Sequence, residues 1–137
     1  MPEIRRVLET SLYVDDLARS RSFYTDILGL PSIGESDRFV AFDAGDGTVL
    51  LVFRRGASAA ALDVRGQRIP PHDGSGPAHL AFAVDTGELD PWRLRLRAHG
   101  VEIESEVRWP RGGTSVYFRD PDGHCLELAA PGVWPTY

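Results

Sequence analysis

Residues 7–14 alternate between apolar and polar side chains, the two-residue period of a half-buried strand, and the alternation ends at Asp15-Asp16. That acidic pair offers a helix cap. Leu17, Tyr24, Ile27 and Leu28 then recur at helical spacing up to Gly29, which closes the helix. Residues 39–43 and 48–54 read as strands around Gly45-Asp46-Gly47, a hairpin signal. A stretch rich in Gly, Pro, Ala and Ser, residues 56–77, reads as a linker. After it the order begins again, with a strand at 78–84, a helix at 86–99 carrying Leu89, Trp92 and Leu96, and strands at 101–107, 114–119 and 124–129. Arg93, Arg95 and Arg97 alternate with leucines as a strand would. Pro91 before them and Gly100 after them mark a solvated helix face instead. The pattern predicts an α+β chain of two tandem βαβββ modules, 5–56 and 77–131, joined by a linker at 57–76.

Aligning the chain with itself tests the repeat. Val14-Asp15 matches Val84-Asp85, and at that offset Glu9 falls on His79. Asp46-Gly47 matches Asp122-Gly123, and at that offset Leu51 falls on Glu127. Strand parity then sorts the faces. Leu80, Phe82 and Val84 make a bulky face suited to a helix, while His79 shares the other with Ala81 and Ala83. Leu8, Leu12 and Val14 oppose Glu9, Ser11 and Tyr13. Val116 and Phe118 oppose Ser115 and Tyr117. Val49, Leu51 and Phe53 share one face. Glu9, His79 and Glu127 thus lie on equivalent faces, and if the two sheets curl together these faces line a common cavity.

Read singly, Glu127 is the solvent-facing member of an alternating strand, Glu9 is exposed and His79 is a satisfied core histidine. Read together, one imidazole and two carboxylates suit a divalent metal such as Mn, Fe, Ni or Zn, one per chain, with positions left open for water or substrate. Cys125 shares the parity of Glu127 and reads as a small packed side chain rather than a reactive thiol. His72, His99 and His124 read as loop or helix-end residues, with only His72 on a segment able to reach the mouth of the cavity.

Bulk properties narrow the function classes. A chain of 137 residues buries enough surface to fold without staples, and its single cysteine allows no internal disulfide. A net charge of -5 at pH 7 speaks against a nucleic-acid or anionic-membrane surface. No apolar run is long enough to span a bilayer, and without a charged-then-apolar leader the expected location is cytoplasmic.

The segments "LETSLYVDDLARSRSFYTDILGL", "AHLAFAV" and "YFRDPDGHCLEL" resemble the vicinal oxygen chelate superfamily, which includes glyoxalase I, bleomycin-resistance proteins, extradiol dioxygenases and fosfomycin-resistance thiol transferases. The resemblance spans almost the whole chain. It implies paired βαβββ modules whose eight strands curl around a metal-centred or drug-binding cleft, usually in a homodimer. It places Glu9 at the first-strand ligand position, often His in that family, and His79 and Glu127 at the second-module positions. Leu51 departs from the glyoxalase pattern, which carries a fourth ligand there, so the resemblance implies a three-ligand enzyme other than glyoxalase I. Locally, "TSVYFRDPDGHCLEL" and "ELDPWRLRLRAHGVEI" are similar to the fosfomycin-resistance thiol transferases, in which the tyrosine matching Tyr117 faces the bound phosphonate. The loop Trp109-Pro110-Arg111-Gly112-Gly113 lacks the ion-binding residues of those enzymes.

Two function classes follow. In the first, a metal polarises neighbouring substrate oxygens, in lyase, isomerase, dioxygenase or thiol transferase chemistry. Tyr117 then donates a hydrogen bond or proton and Arg111 attracts a carboxylate or phosphonate. Ser11, Tyr13, Leu51, Phe53, Trp109 and Ser115 line the pocket. In the second, the chain sequesters a drug without chemistry, in a groove lined by Tyr13, Phe53, Trp109 and Trp134. Retention of three ligand-type residues favours the enzyme.

Overall fold

A computed structural model describes all 137 residues. The backbone packs into two compact units, Met1–Ser75 and Gly76–Tyr137. In the first, β1 (Glu9–Val14) leads to α1 (Leu17–Ser22), followed by β2 (Ser32–Glu35), β3 (Phe39–Asp43) and β4 (Val49–Arg54). A two-stranded ribbon, β5 (Leu62–Val64) and β6 (Gln67–Ile69), completes it. The second unit runs β7 (His79–Ala83), α2 (Leu89–Ala98), β8 (Ile103–Arg108), β9 (Thr114–Arg119) and β10 (Cys125–Ala129). The four-stranded sheets have orders β1-β4-β3-β2 and β7-β10-β9-β8, the same topology twice. In each, the first strand runs parallel to the last and forms one edge.

The repeat extends to the hydrogen-bond register. Ser11 pairs with Leu51 and Leu51 with Ala41; Ala81 pairs with Glu127 and Glu127 with Tyr117. Alternation explains the cores. Leu12, Val14, Phe42, Leu50 and Val52 are buried with Tyr24 and Leu28 of the first helical segment. Val116, Phe118, Leu126 and Leu128 are buried with Leu89 and Leu96 of α2. Each fully covered leucine contributes about 1.5–3 kcal/mol relative to exposure.

Asp16 caps α1 as its position predicts, accepting from the Arg19 amide at 3.1 Å. The helix then widens into a π-helical turn over Phe23–Ile27, and Gly29 ends it with φ +73°. The hairpin between β3 and β4 has all three turn residues, Gly45, Asp46 and Gly47, at positive φ, which aspartate tolerates better than most side chains.

Several expectations need adjusting. Leu8 is 58% exposed, because the β1–β4 ladder starts at Glu9 and offers nothing to cover it. Strand β2 falls where the pattern assigns no element: its one large apolar residue, Ile33, is exposed on a bulged edge strand. The segment read as linker carries the β5–β6 ribbon and packs with the first unit. The second helix starts as a 3-10 turn at Thr86–Glu88, and its arginines lie on the helix as expected, Arg93 pairing with Asp90 and Glu106. Cys125 is half-buried rather than buried. No helix is long and apolar enough to cross a membrane.

Candidate functional site

The second unit concentrates the candidate chemistry on β7, β9 and β10. Glu127 is only 6% exposed, so it is not the solvent-facing residue that alternation alone would make it. Its carboxylate lies between two partners. The Ser115 hydroxyl donates to Oε1, and His79 Nε2 stands 3.2 Å from Oε2. The His79 ring is half-exposed, and its Nδ1 lies 2.8 Å from the carbonyl oxygen of Cys125. A carbonyl can only accept, so Nδ1 carries a proton, and Nε2 faces Glu127, as a lone pair in the neutral ring and as a donor in the charged one. Two electron-pair donors at that distance repel unless a cation, a proton or a metal ion, lies between them. An oriented imidazole whose other nitrogen is tied to backbone is also the arrangement found behind metal-ligating histidines.

Tyr117 stands opposite Glu127 on the β9–β10 ladder, its ring centroid 6.3 Å from that of His79. Burial pushes its phenol above the ordinary range; a hydrogen bond with Ser115 lowers it and the charge of Glu127 raises it further. The group is therefore a protonated donor throughout the neutral range. Trp109 donates its indole N–H to the Ser115 oxygen at 2.8 Å. Arg111 is exposed at the tip of the same turn. The turn is closed by Trp109 N to Gly113 O at 2.8 Å and Gly112 N to Trp109 O at 2.9 Å. Gly113 admits no side chain, since a Cβ there would lie 2.3 Å from the backbone of Gly132 and Val133.

Apart from Trp134, which is exposed near the end of the second unit, the remaining expected residues belong to the first. Glu9 is exposed at the start of β1. The structure brings His79 and Glu127 together, but no group of three or more His, Cys, Asp or Glu side chains is arranged to hold a metal. Ser11 and Leu51 are half-buried ladder partners. Tyr13 and Phe53 stack with centroids 6.0 Å apart. The Tyr13 hydroxyl meets His72 Nδ1 at 2.7 Å, and the His72 ring stands edge-on to Phe53 with centroids 4.7 Å apart. Gly74 lies against the Tyr13 ring, where a Cβ would come within 2.5 Å. Arg55 binds the Gly74 carbonyl at 3.2 Å and the Tyr13 carbonyl at 3.1 Å, holding the crossing segment down. His72 thus packs on the aromatic pair, an involvement that sequence suggested only as reach.

His124, expected in a loop, and its neighbour Asp120 are structural. His124 is 1% exposed and its Nδ1 accepts from the Ala78 amide at 2.8 Å, just before His79. Asp120, also buried, accepts from the amides of Asp122 and His124. The Asp-Pro-Asp-Gly turn is the signal that marks them, because a leading aspartate in such a turn caps its own backbone.

A family model described as the Glyoxalase/Bleomycin resistance protein/Dioxygenase superfamily matches residues 6–128. The chain is 34% identical over 118 residues to glutathione transferase FosA of Serratia marcescens, covering 86% of this chain and 75% of that protein. Among solved structures it is similar to a lactoylglutathione lyase from Agrobacterium tumefaciens, at TM-score 0.88 and 34% identity, covering 98% of this chain and 99% of the other. It is also similar to a mutant of the fosfomycin resistance protein FosX from Listeria monocytogenes, complexed with Mn(II) and 1S,2S-dihydroxypropylphosphonic acid. That match has a TM-score of 0.70 and 26% identity, covering 96% of this chain and 94% of the other.

Proposed function

The chain belongs to the Glyoxalase/Bleomycin resistance protein/Dioxygenase superfamily, and from that premise we propose that it is a divalent-metal-dependent enzyme acting on a small molecule with neighbouring oxygens. The observation that carries this reading is the His79 Nε2 to Glu127 Oε2 approach of 3.2 Å, with Nδ1 committed to the Cys125 carbonyl. The donor set fits a divalent ion: one neutral imidazole nitrogen and one buried carboxylate oxygen, both oriented before any ion arrives. In this reading Glu9 is the third ligand, the two sheets curl around one cleft, and the protein works as a homodimer in the cytoplasm.

When bound, the metal supplies Lewis-acid polarisation of the substrate's oxygens. The chain does the rest. Tyr117, held protonated by burial, donates a hydrogen bond to a substrate oxygen as it gains negative charge. Arg111, exposed on its turn, attracts an anionic substrate group such as a phosphonate or carboxylate. Leu51 and Phe53 give an apolar wall. Transfer of a thiol or water to a small phosphonate receives the most support, because the Serratia relative is named a glutathione transferase and the Listeria structure carries 1S,2S-dihydroxypropylphosphonic acid. An aromatic drug-binding groove has less support: His72 and Gly74 already cover Tyr13, and the Trp109 N–H is engaged by Ser115.

The test is metal analysis of untagged protein, followed by assays with Mn(II), Zn(II), Ni(II) or Fe(II). The panel comprises fosfomycin with glutathione, cysteine or water, and the methylglyoxal–glutathione adduct. The reading expects close to one ion per chain and metal-dependent turnover of the phosphonate. Protein that binds none of these ions, or that binds a drug of the bleomycin class without any turnover, overturns it.

A further inference from the structure

We infer that Trp109 and Ser115, which sequence places among pocket-lining residues, are positioning residues that aim Glu127 at the metal; this rests on the reading of His79 and Glu127 as ligands. The support lies in the direction of each hydrogen bond. An indole N–H can only donate, so the Trp109 contact at 2.8 Å occupies the Ser115 oxygen as an acceptor. The serine's own proton then points to Glu127, whose carboxylate can only accept, while the Tyr117 phenol neighbours both groups. Oε1 is committed to Ser115, leaving Oε2 on the side of His79 Nε2. On the other flank, the Cys125 carbonyl fixes the His79 ring in the same manner. Both proposed ligands are therefore held from behind, one by backbone and one by a two-step relay.

Each member of the relay is anchored by the fold. Ser115 is fully buried on β9 and registers with Ala129 of β10, two residues beyond Glu127, so its hydroxyl and the carboxylate share a face. Trp109 lies just past the end of β8, in a turn pinned by the Gly113–Gly132 backbone contact. It remains 36% exposed, so the indole is fixed by its N–H while its ring borders solvent. Without Ser115, Oε1 loses the hydroxyl that fixes it, and the carboxylate can rotate away from His79. Without the indole, the serine proton is free to turn elsewhere. Outer partners of this kind typically set metal affinity by about 10–100-fold.

The experiment is a double-mutant cycle on metal affinity, read with Zn(II) and Mn(II) by chelator competition on the full chain. Trp109→Phe keeps a ring at a partly exposed position and removes only the N–H donor. It is expected to weaken binding about 10-fold, and Ser115→Ala about 30-fold. Because Trp109 acts through Ser115, adding Trp109→Phe to Ser115→Ala should weaken binding no further. A spectroscopic readout accompanies the cycle. The indole N–H resonance missing from Trp109→Phe should shift when Zn(II) is added to the parent and stay unmoved in Ser115→Ala. Additive losses, or Trp109→Phe binding metal as tightly as the parent, overturn the relay while leaving the proposed function standing. A parent that binds neither ion overturns both.

Discussion

Tyr117 and Glu127 stand directly opposite one another on the β9–β10 ladder, a phenol kept protonated by burial facing a carboxylate covered from solvent. The phenol ionises only above its ordinary value of 10.0, because burial and then the nearby carboxylate charge both penalise the phenolate. As pH rises through neutrality, Tyr117 therefore remains a donor. Tyr117→Phe should lower kcat by about 100-fold or more, the range expected for a lost proton donor, while metal affinity stays within about three-fold of the parent. Steady-state kinetics across pH 6–9 and chelator competition measure the two quantities. An unchanged kcat would leave Tyr117 as a wall of the pocket.

Glu127→Gln separates charge from shape. The amide fills the same space and still accepts from Ser115, but carries no negative charge toward His79. Metal affinity should fall by about 100-fold or more, exceeding what an outer partner contributes. The metal-free variant should melt no lower than the parent, because a neutral amide costs less to bury than a carboxylate. A variant that retains the parent's affinity would remove Glu127 as a ligand.

Acid stability should be set by a different group of carboxylates. Glu106 is held below its ordinary 4.5 first by its hydrogen bond to Arg93, and Glu104 likewise by Arg119. Asp73 is held below 3.8 by the backbone amides of Gly56 and Gly74. A carboxyl whose pKa is lower folded than unfolded adds stability above the unfolded value and loses it as pH falls through the folded one. Melting temperature should therefore show no dependence on these groups near neutrality and drop below about pH 4.5. Glu106→Gln should lower it by only about 2 °C at pH 7, since the pair is partly exposed, and by less near pH 3. Equal losses at both pH values would deny the charge any part in the effect.

Strand parity and repeat made much of the second unit legible. Glu127 between Leu126 and Leu128 had to face away from the helix, and the repeat placed His79 on the same side; the structure joins them at 3.2 Å. The strand at 114–119 has the bounds expected from its alternation. Signals failed where no alternation exists. Trp109 lies beyond the end of β8, so parity cannot assign its direction, and its bond to Ser115 depends on a turn closed by Gly113 and Gly132. Strand β2 has one large apolar residue, too few to set a period. The 62–69 ribbon has its large apolar residues Val64 and Ile69 exposed, so composition resembles a linker even though the backbone pairs.

Leu51 offers the sharpest test of which member of the superfamily this is. In the first unit it pairs with Ser11 and Ala41, as Glu127 pairs with Ala81 and Tyr117 in the second. On the proposed reading, the repeat puts an aliphatic side chain where a fourth ligand would stand, and Phe53 follows it on the same strand. If the two units contribute to one metal site, Leu51→Glu adds an oxygen donor at a vacant position. Affinity should tighten by about ten-fold, the equivalent of about 1.4 kcal/mol, while turnover falls as the apolar wall is lost. The parent should convert the methylglyoxal–glutathione adduct poorly, despite its likeness to a lactoylglutathione lyase structure. Chelator competition and adduct turnover decide the matter. Unchanged affinity in Leu51→Glu would mean that residue 51 does not face the metal. Efficient isomerisation by the parent would overturn the argument from Leu51 against glyoxalase activity.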